Sequence, residues 1–382
     1  MFSFEQGPIR PPSEARSLLI RVTRNCTWGK CAFCGTYRNR KFSKRSVEEV
    51  KGDISAAKNI AKEIKALSWR LGQSGEVTQE VVQHIFNNSE GYGDQFRSVA
   101  AWLYFGGETV FFQDANSIVV KTDDLVEILN FLRQEFPRVK RITSYARSKS
   151  ISKGKTVEDL KRLKEAGLNR LHVGLETGYD PLLDYMQKGV TAAEHIDAGK
   201  KVREAGIELS EYVVLGLGGR KWWKEHAIET ARALSAINPD YIRFRSLKVL
   251  PYMPLHEKVE SGDFELQTEE EVVIEERLLI ENLENITSYL LSDHILNLLM
   301  EVEGRFPQDK QRLLNTIDRF LELPPDRKLN FRLGKRASIY ERLDDMSNPV
   351  LYDRVESMMD QIEQKVPGGV EAAISKIKES FL

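Results

Sequence analysis

Cysteine is scarce in this chain, and its distribution excludes more than its abundance does. The only three, Cys26, Cys31 and Cys34, fall within nine consecutive residues. None is left over for a disulfide, a second thiolate centre or a fourth thiolate ligand. Histidine is also sparse: none of the six sits at zinc-finger or ribbon spacing, and His84 is the nearest to the cysteines in sequence. No apolar run approaches the ~18 residues of a membrane span, so no membrane partner is expected. The N-terminus, Met1-Phe-Ser-Phe-Glu-Gln-Gly-Pro, lacks the basic-then-apolar order of an export signal. Together with reduced cysteines this predicts a cytoplasmic protein. Neither charge sign dominates: 56 Lys and Arg against 57 Asp and Glu give a net charge of -1. That balance gives no general pull toward nucleic acid. A local basic stretch beside the cysteines, residues 38–45 (Arg-Asn-Arg-Lys-Phe-Ser-Lys-Arg), keeps RNA contact open as an alternative.

The cysteine window reads Cys26-Thr-Trp-Gly-Lys-Cys31-Ala-Phe-Cys34. Three thiolates on one short loop can hold three corners of a 4Fe-4S cube and leave the fourth iron open. Structural zinc usually takes four protein ligands, whereas iron–sulfur clusters are held by thiolates. A zinc site completed by a distant histidine is one alternative. A Cys31–Cys34 redox pair is another, and it leaves Cys26 unexplained.

Strand and helix signals alternate over residues 17–250. Ser46-Val-Glu-Glu49 has the form of a capping box, and Val47, Val50, Ile54, Ala57 and Ala61 recur at helical spacing behind it. Thr156-Val-Glu-Asp159 and Thr191-Ala-Ala-Glu194 open two further helices, closed by Gly167 and Gly206 at positions suited to left-handed caps. Repeated helix–Gly–strand units predict parallel βα architecture. Strands are expected at 17–23, 109–113, 139–146, 169–176, 207–215 and 240–248. Residues 72–108 form an insertion. From Thr268 onward the pattern predicts helices through 278–299, 313–323 and 355–365.

An apolar strand running into a cysteine loop whose last two cysteines bracket Phe33 resembles the radical S-adenosylmethionine (SAM) superfamily. The usual C-x3-C-x2-C spacing is here C-x4-C-x2-C. The resemblance implies an α/β fold, a partial (β/α)6 TIM-like barrel over residues 1–265, with a helical C-terminal region over 266–382 covering it. It also implies two cofactors, a 4Fe-4S cluster on Cys26, Cys31 and Cys34 and S-adenosyl-L-methionine on the open iron. The reduced cluster splits the sulfonium and releases a 5′-deoxyadenosyl radical that abstracts hydrogen. An electron donor such as flavodoxin or ferredoxin, and anaerobic handling, follow.

In this family a Gly-Gly-Glu motif after the second strand binds the SAM amino group. Gly106-Gly107-Glu108 instead precedes the apolar Thr109-Val-Phe-Phe112, so loop length favours Asp114 and Asn116 in Gln113-Asp-Ala-Asn116 as its equivalent. The family pattern places Glu176 near the ribose, and Phe33, the Gly216 segment and Val249 near adenine. Arg147 or Arg245 is expected on the SAM carboxylate.

Alternation divides each strand into two faces. One face carries Arg141, Thr143, Tyr145 and Arg147, then Glu208, Ser210 and Tyr212, then Tyr241, Arg243 and Arg245. Packed barrels fill this face with branched apolar side chains. Buried charges need partners or a ligand, and arginine forks suit carboxylate and phosphate. Tyr212, Arg243 and Arg245 are therefore expected at an anionic small-molecule substrate or cofactor precursor. No residue is singled out as catalytic. An RNA-modifying radical SAM enzyme and a zinc-dependent binding protein remain the alternatives. The cysteine count disfavours subfamilies with auxiliary clusters, and no cobalamin-binding domain is evident.

Overall fold

Apolar β-branched runs followed by capped amphipathic helices build the molecule. In the computed structural model, which describes residues 2–88 and 90–381, the chain divides into two compact units. The first contains residues up to Gly174 and returns with Gln187–Ser210. Its strands are β1 (Leu18–Arg21), β2 (Thr109–Gln113), β3 (Arg141–Ala146) and most of β4 (Leu168–Glu176). They lie side by side in that order, each parallel to the next, with Leu18 opposite Val110 and Arg21 opposite Gln113. Leu18, Ile20, Val110, Phe111 and Ile142 are essentially inaccessible to solvent and form the centre of this unit's core.

The helices of the first unit begin where the side chains dictate. Helix α1 (Val47–Arg70) opens on the Ser46 hydroxyl, which accepts from Glu49 N–H at 3.1 Å, while the Glu49 carboxylate accepts from Ser46 N–H at 2.8 Å. The insertion folds as α2 (Gln79–Asn87) and α3 (Asp94–Tyr104), packed on each other and on α1. Helices α4 (Thr122–Glu135), α5 (Ser148–Gly154) and α6 (Val157–Ala166) follow. Thr156 caps α6 reciprocally with Asp159, and Gly167 ends it in the left-handed region at φ +115°.

The second unit comprises Leu175–Met186 and Glu211–Leu382. It holds α7 (Asp180–Tyr185), while α8 (Ala192–Glu204), capped by Thr191, belongs to the first unit. Most of β5 (Glu208–Leu215) lies in the second unit, followed by α9 (Gly219–Ile237), β6 (Tyr241–Ser246), α10 (Pro254–Glu260) and α11 (Glu269–Glu281). Two short strands then extend the sheet: β7 (Tyr289–Leu291), parallel to β6, and β8 (Gly304–Arg305), antiparallel to β7. This corrects the helix expected over 278–299. Helix α11 stops at Glu281, and Asn285 turns the chain in the left-handed region at φ +53°. Leucine spacing alone did not separate a short buried strand from a helix. Helices α12 (Lys310–Leu321), α13 (Pro325–Arg336), α14 (Pro349–Lys365) and α15 (Gly369–Glu379) complete the C-terminal region. Among the described residues no helix is long and apolar enough to cross a membrane.

Candidate cluster loop and anion site

The cysteine loop leaves β1 and is closed at its base by Thr23–Arg24 pairing antiparallel with Ser43–Lys44. Beneath it sits Asp114, fully buried at the end of β2. Its carboxylate accepts from Arg21 Nε at 2.6 Å, the Asn25 backbone N–H at 2.9 Å and the Tyr37 hydroxyl at 3.1 Å. One carboxylate thus ties down residues on both sides of the cysteines. Burial, then the charge of Asp114, holds the Tyr37 phenol far above its ordinary value, so it stays a neutral donor. Asn116 is also engaged: its Oδ1 accepts from Arg147 N–H at 3.1 Å, and its Nδ2 donates to Thr27 Oγ1 at 3.1 Å and Ser150 Oγ at 2.7 Å. Gln113 accepts from Gly7 N–H at 2.8 Å and donates to Ile9 O at 3.1 Å, holding the N-terminal segment. Gln113, Asp114 and Asn116 therefore all brace protein. Glu108 precedes β2, at the opposite end of that strand from Asp114, and its carboxylate pairs with Lys140 at 2.7 Å.

Within the loop, Cys34 N–H donates to Cys31 O at 3.2 Å and Trp28 N–H donates to Cys26 Sγ at 3.4 Å. Burial pushes the Cys31 thiol up to about 11, against the pull of Lys188 and Arg147. These two cations were not grouped by the sequence reading. Arg147, capping α5, donates from Nη2 to Lys188 O at 2.9 Å, and its guanidinium lies 5.4 Å from the Trp28 ring centre. The Lys188 ammonium lies 5.7 Å from the Phe33 ring centre. The donor set suits an anionic iron–sulfur cluster: three free thiols, a backbone N–H on one sulfur and two nearby cations. Among the described residues no three His, Cys, Asp or Glu side chains gather as ligands of a single metal ion. Cluster thiolates bind different irons and need no such convergence.

Glu176 ends β4 in the left-handed region at φ +64°. The turn after it is fixed by Thr177, whose hydroxyl meets His226 Nδ1 at 2.8 Å, and by Gly178 N–H donating to Thr230 at 2.9 Å. In the second unit Gly216 N–H donates to Glu275 at 2.8 Å, and Gly216 and Val249 line one cavity of about 250 Å³ with Leu247, Gln267 and Lys378.

Arg243 and Arg245 share one face of β6, while Ile242 and Phe244 are buried on the other. Both arginines reach the same acid, Asp293, at 2.6 and 2.8 Å. Arg245 also stacks 4.8 Å from the Tyr212 ring centre. Arg243 Nε and Arg245 Nη2 are buried with no hydrogen-bond partner. Asp293 follows β7, and sequence reasoning missed it because that stretch read as helix. Burial, and then Arg245, lowers neighbouring His294 to about 4, so it is neutral at physiological pH. In the basic stretch Arg45 is buried, donating to Arg21 O at 2.8 Å and pairing with Asp53, while Arg40, Lys41 and Lys44 remain exposed.

Residues 94–233 match the Radical SAM superfamily. That stretch holds Asp114, Asn116, Arg147, Glu176, Tyr212 and Gly216 and begins after the cysteine loop. A curated relative, the heme chaperone HemW of Bacillus subtilis, is 32% identical over 118 residues, 30% of each chain. The chain therefore matches less than a third of that relative's length. Similar solved structures include coproporphyrinogen III oxidase (HemN) from Escherichia coli, at 14% identity and TM-score 0.40, covering 66% of this chain and 48% of that one. Methylornithine synthase (PylB) has 16% identity and TM-score 0.42, covering 79% and 68%.

Proposed function

We propose that the chain is a radical SAM enzyme that cleaves S-adenosylmethionine reductively and abstracts hydrogen from an anionic small molecule or cofactor precursor. Cys26, Cys31 and Cys34 would hold a 4Fe-4S cluster, which has no other thiolate to bind it in this chain. Bound there and reduced, the cluster would supply the electron needed to cleave SAM. The protein's part is to hold and shield that centre. Asp114 and Asn116 brace the loop from below, Trp28 N–H donates to the Cys26 sulfur, and Arg147 and Lys188 offset negative charge beside Cys31.

The observation that carries the substrate reading is the arrangement of two arginines on one acid. Arg243 and Arg245 share Asp293, which leaves one positive charge in excess and two buried N–H donors unfilled. A substrate carboxylate or phosphate would complete both, and charge-assisted bonds to arginine are among the stronger ones. The RNA alternative loses Arg45, which is buried in ion pairs, and rests on Arg40, Lys41 and Lys44.

Anaerobic reconstitution tests the reading. Wild-type protein should take up iron and sulfide, and release 5′-deoxyadenosine on reduction with dithionite. Each of Cys26→Ala, Cys31→Ala and Cys34→Ala should abolish both, because no spare thiol exists; a single variant that keeps cluster and cleavage refutes the assignment. Arg245→Gln should keep the cluster yet lose stimulation of cleavage by anionic candidate metabolites. Unchanged stimulation refutes the anionic-substrate reading alone.

A further inference from the structure

Trp28 lies in the four-residue stretch between the first two cysteines, where the chain carries one residue more than the usual spacing. An indole on a partly exposed loop needs a partner for its N–H and a surface for its ring. Both come from one turn, Gln187–Gly189, far along the sequence. Trp28 Nε1 donates to Gln187 O at 2.6 Å. Gly189 lies so close to the ring that a Cβ there would sit 2.3 Å from Trp28 Cζ2. Its φ of +68° also disfavours any side chain. Arg147 closes the third side, stacked near the indole and donating to Lys188 O in the same turn. The contact joins groups 159 residues apart.

We infer that the Gln187–Gly189 turn is a clamp on the cysteine loop, with Trp28 as the positioning residue through which it retains the cluster. The inference rests on the loop being the cluster loop, and it adds a role for residues that donate no ligand. Asp114 and Asn116 fix the loop at its base and at Thr27; the clamp fixes the stretch between Cys26 and Cys31. Opening the loop to release iron requires the indole to leave both the carbonyl and the glycine surface.

The test is a double-mutant cycle on the reconstituted full chain, reading iron transfer to a ferrous chelator under anaerobic conditions. Trp28→Ala should speed iron loss at least about tenfold, as expected for losing a hydrogen bond and its packing. Gly189→Ala should do the same by forcing the ring away. In the double variant the increase should fall well short of the product, because both changes remove one contact. Trp28→Phe, which keeps the ring and loses only the N–H, should lie between, with an unchanged unfolding midpoint. It keeps the test decisive if Gly189→Ala folds poorly. The electron paramagnetic resonance spectrum of the reduced cluster should shift in the same order. Wild-type rates in Trp28→Ala and Trp28→Phe, or effects that simply multiply, overturn the clamp while leaving the cluster reading intact. A wild-type protein that takes up no iron overturns both.

Discussion

Asp114 and Glu108 show how far two acids of similar sequence standing can diverge. Asp114 is buried and accepts from three donors, whereas Glu108 is 39% exposed and pairs with a largely exposed lysine. Asp114→Ala should cost about 3 kcal/mol, because Arg21 keeps only its bond to Glu5. Glu108→Ala should cost less than about 1 kcal/mol, as surface pairs do. Urea denaturation of both variants checks this, and equal losses contradict the placement. Loop length bears on which of these acids stands between strand and helix, and the structure puts Asp114 just after β2 and Glu108 just before it. What Asp114 holds was not legible, because its partners Arg21, Asn25 and Tyr37 belong to a loop without periodicity. Lys188 next to Phe33, and Asp293 between two arginines, were invisible for the same reason: each contact spans more of the chain than a local pattern covers.

The elements themselves were far more legible. Ser46, Thr156 and Thr191 each cap the helix their spacing announced, because a capping box is satisfied within four residues. Thr191→Ala should destabilise by about 1 kcal/mol. Since α8 starts just after the Gln187–Gly189 turn, it should also quicken hydrogen exchange at 192–194 more than at mid-helix, and uniform exchange contradicts that. The second strand was placed at 109–113, where it is found, since Thr-Val-Phe-Phe-Gln is a buried run between turn signals. The failure at 289–291 has the opposite cause. Three residues, Tyr289–Leu291, become a strand only by pairing with β6, a choice made by tertiary contact.

At the scale of the whole molecule, the C-terminal helices are gathered by one acid. Glu269, at the start of α11, accepts from Arg332 Nε at 2.9 Å and Arg336 Nε at 2.8 Å, and pairs with Lys378 at 3.5 Å. Burial works to raise its carboxyl, but Arg336, Lys378 and Arg332 outweigh burial and hold it at about 2, below the ordinary 4.5. A carboxylate depressed on folding contributes its full stability above the unfolded value and loses it as pH falls toward the folded one. The contribution is about 3 kcal/mol near neutrality. The stability gap between wild type and Glu269→Gln should therefore be constant above pH 4.5 and narrow progressively below it. A gap independent of pH down to 3 would show that Glu269 carries no such linkage.

The 159-residue separation between Trp28 and Gln187 has a consequence for how the protein is made. A ribosome delivers the cysteines early and the turn that grips them late. At ~5–20 residues per second the thiols stay ungripped for roughly 8–30 s of synthesis. On the proposed cluster and clamp reading, a cluster delivered in that interval would lack the Trp28 contact. Stable loading would then follow emergence of the Gln187–Gly189 turn rather than of the cysteines.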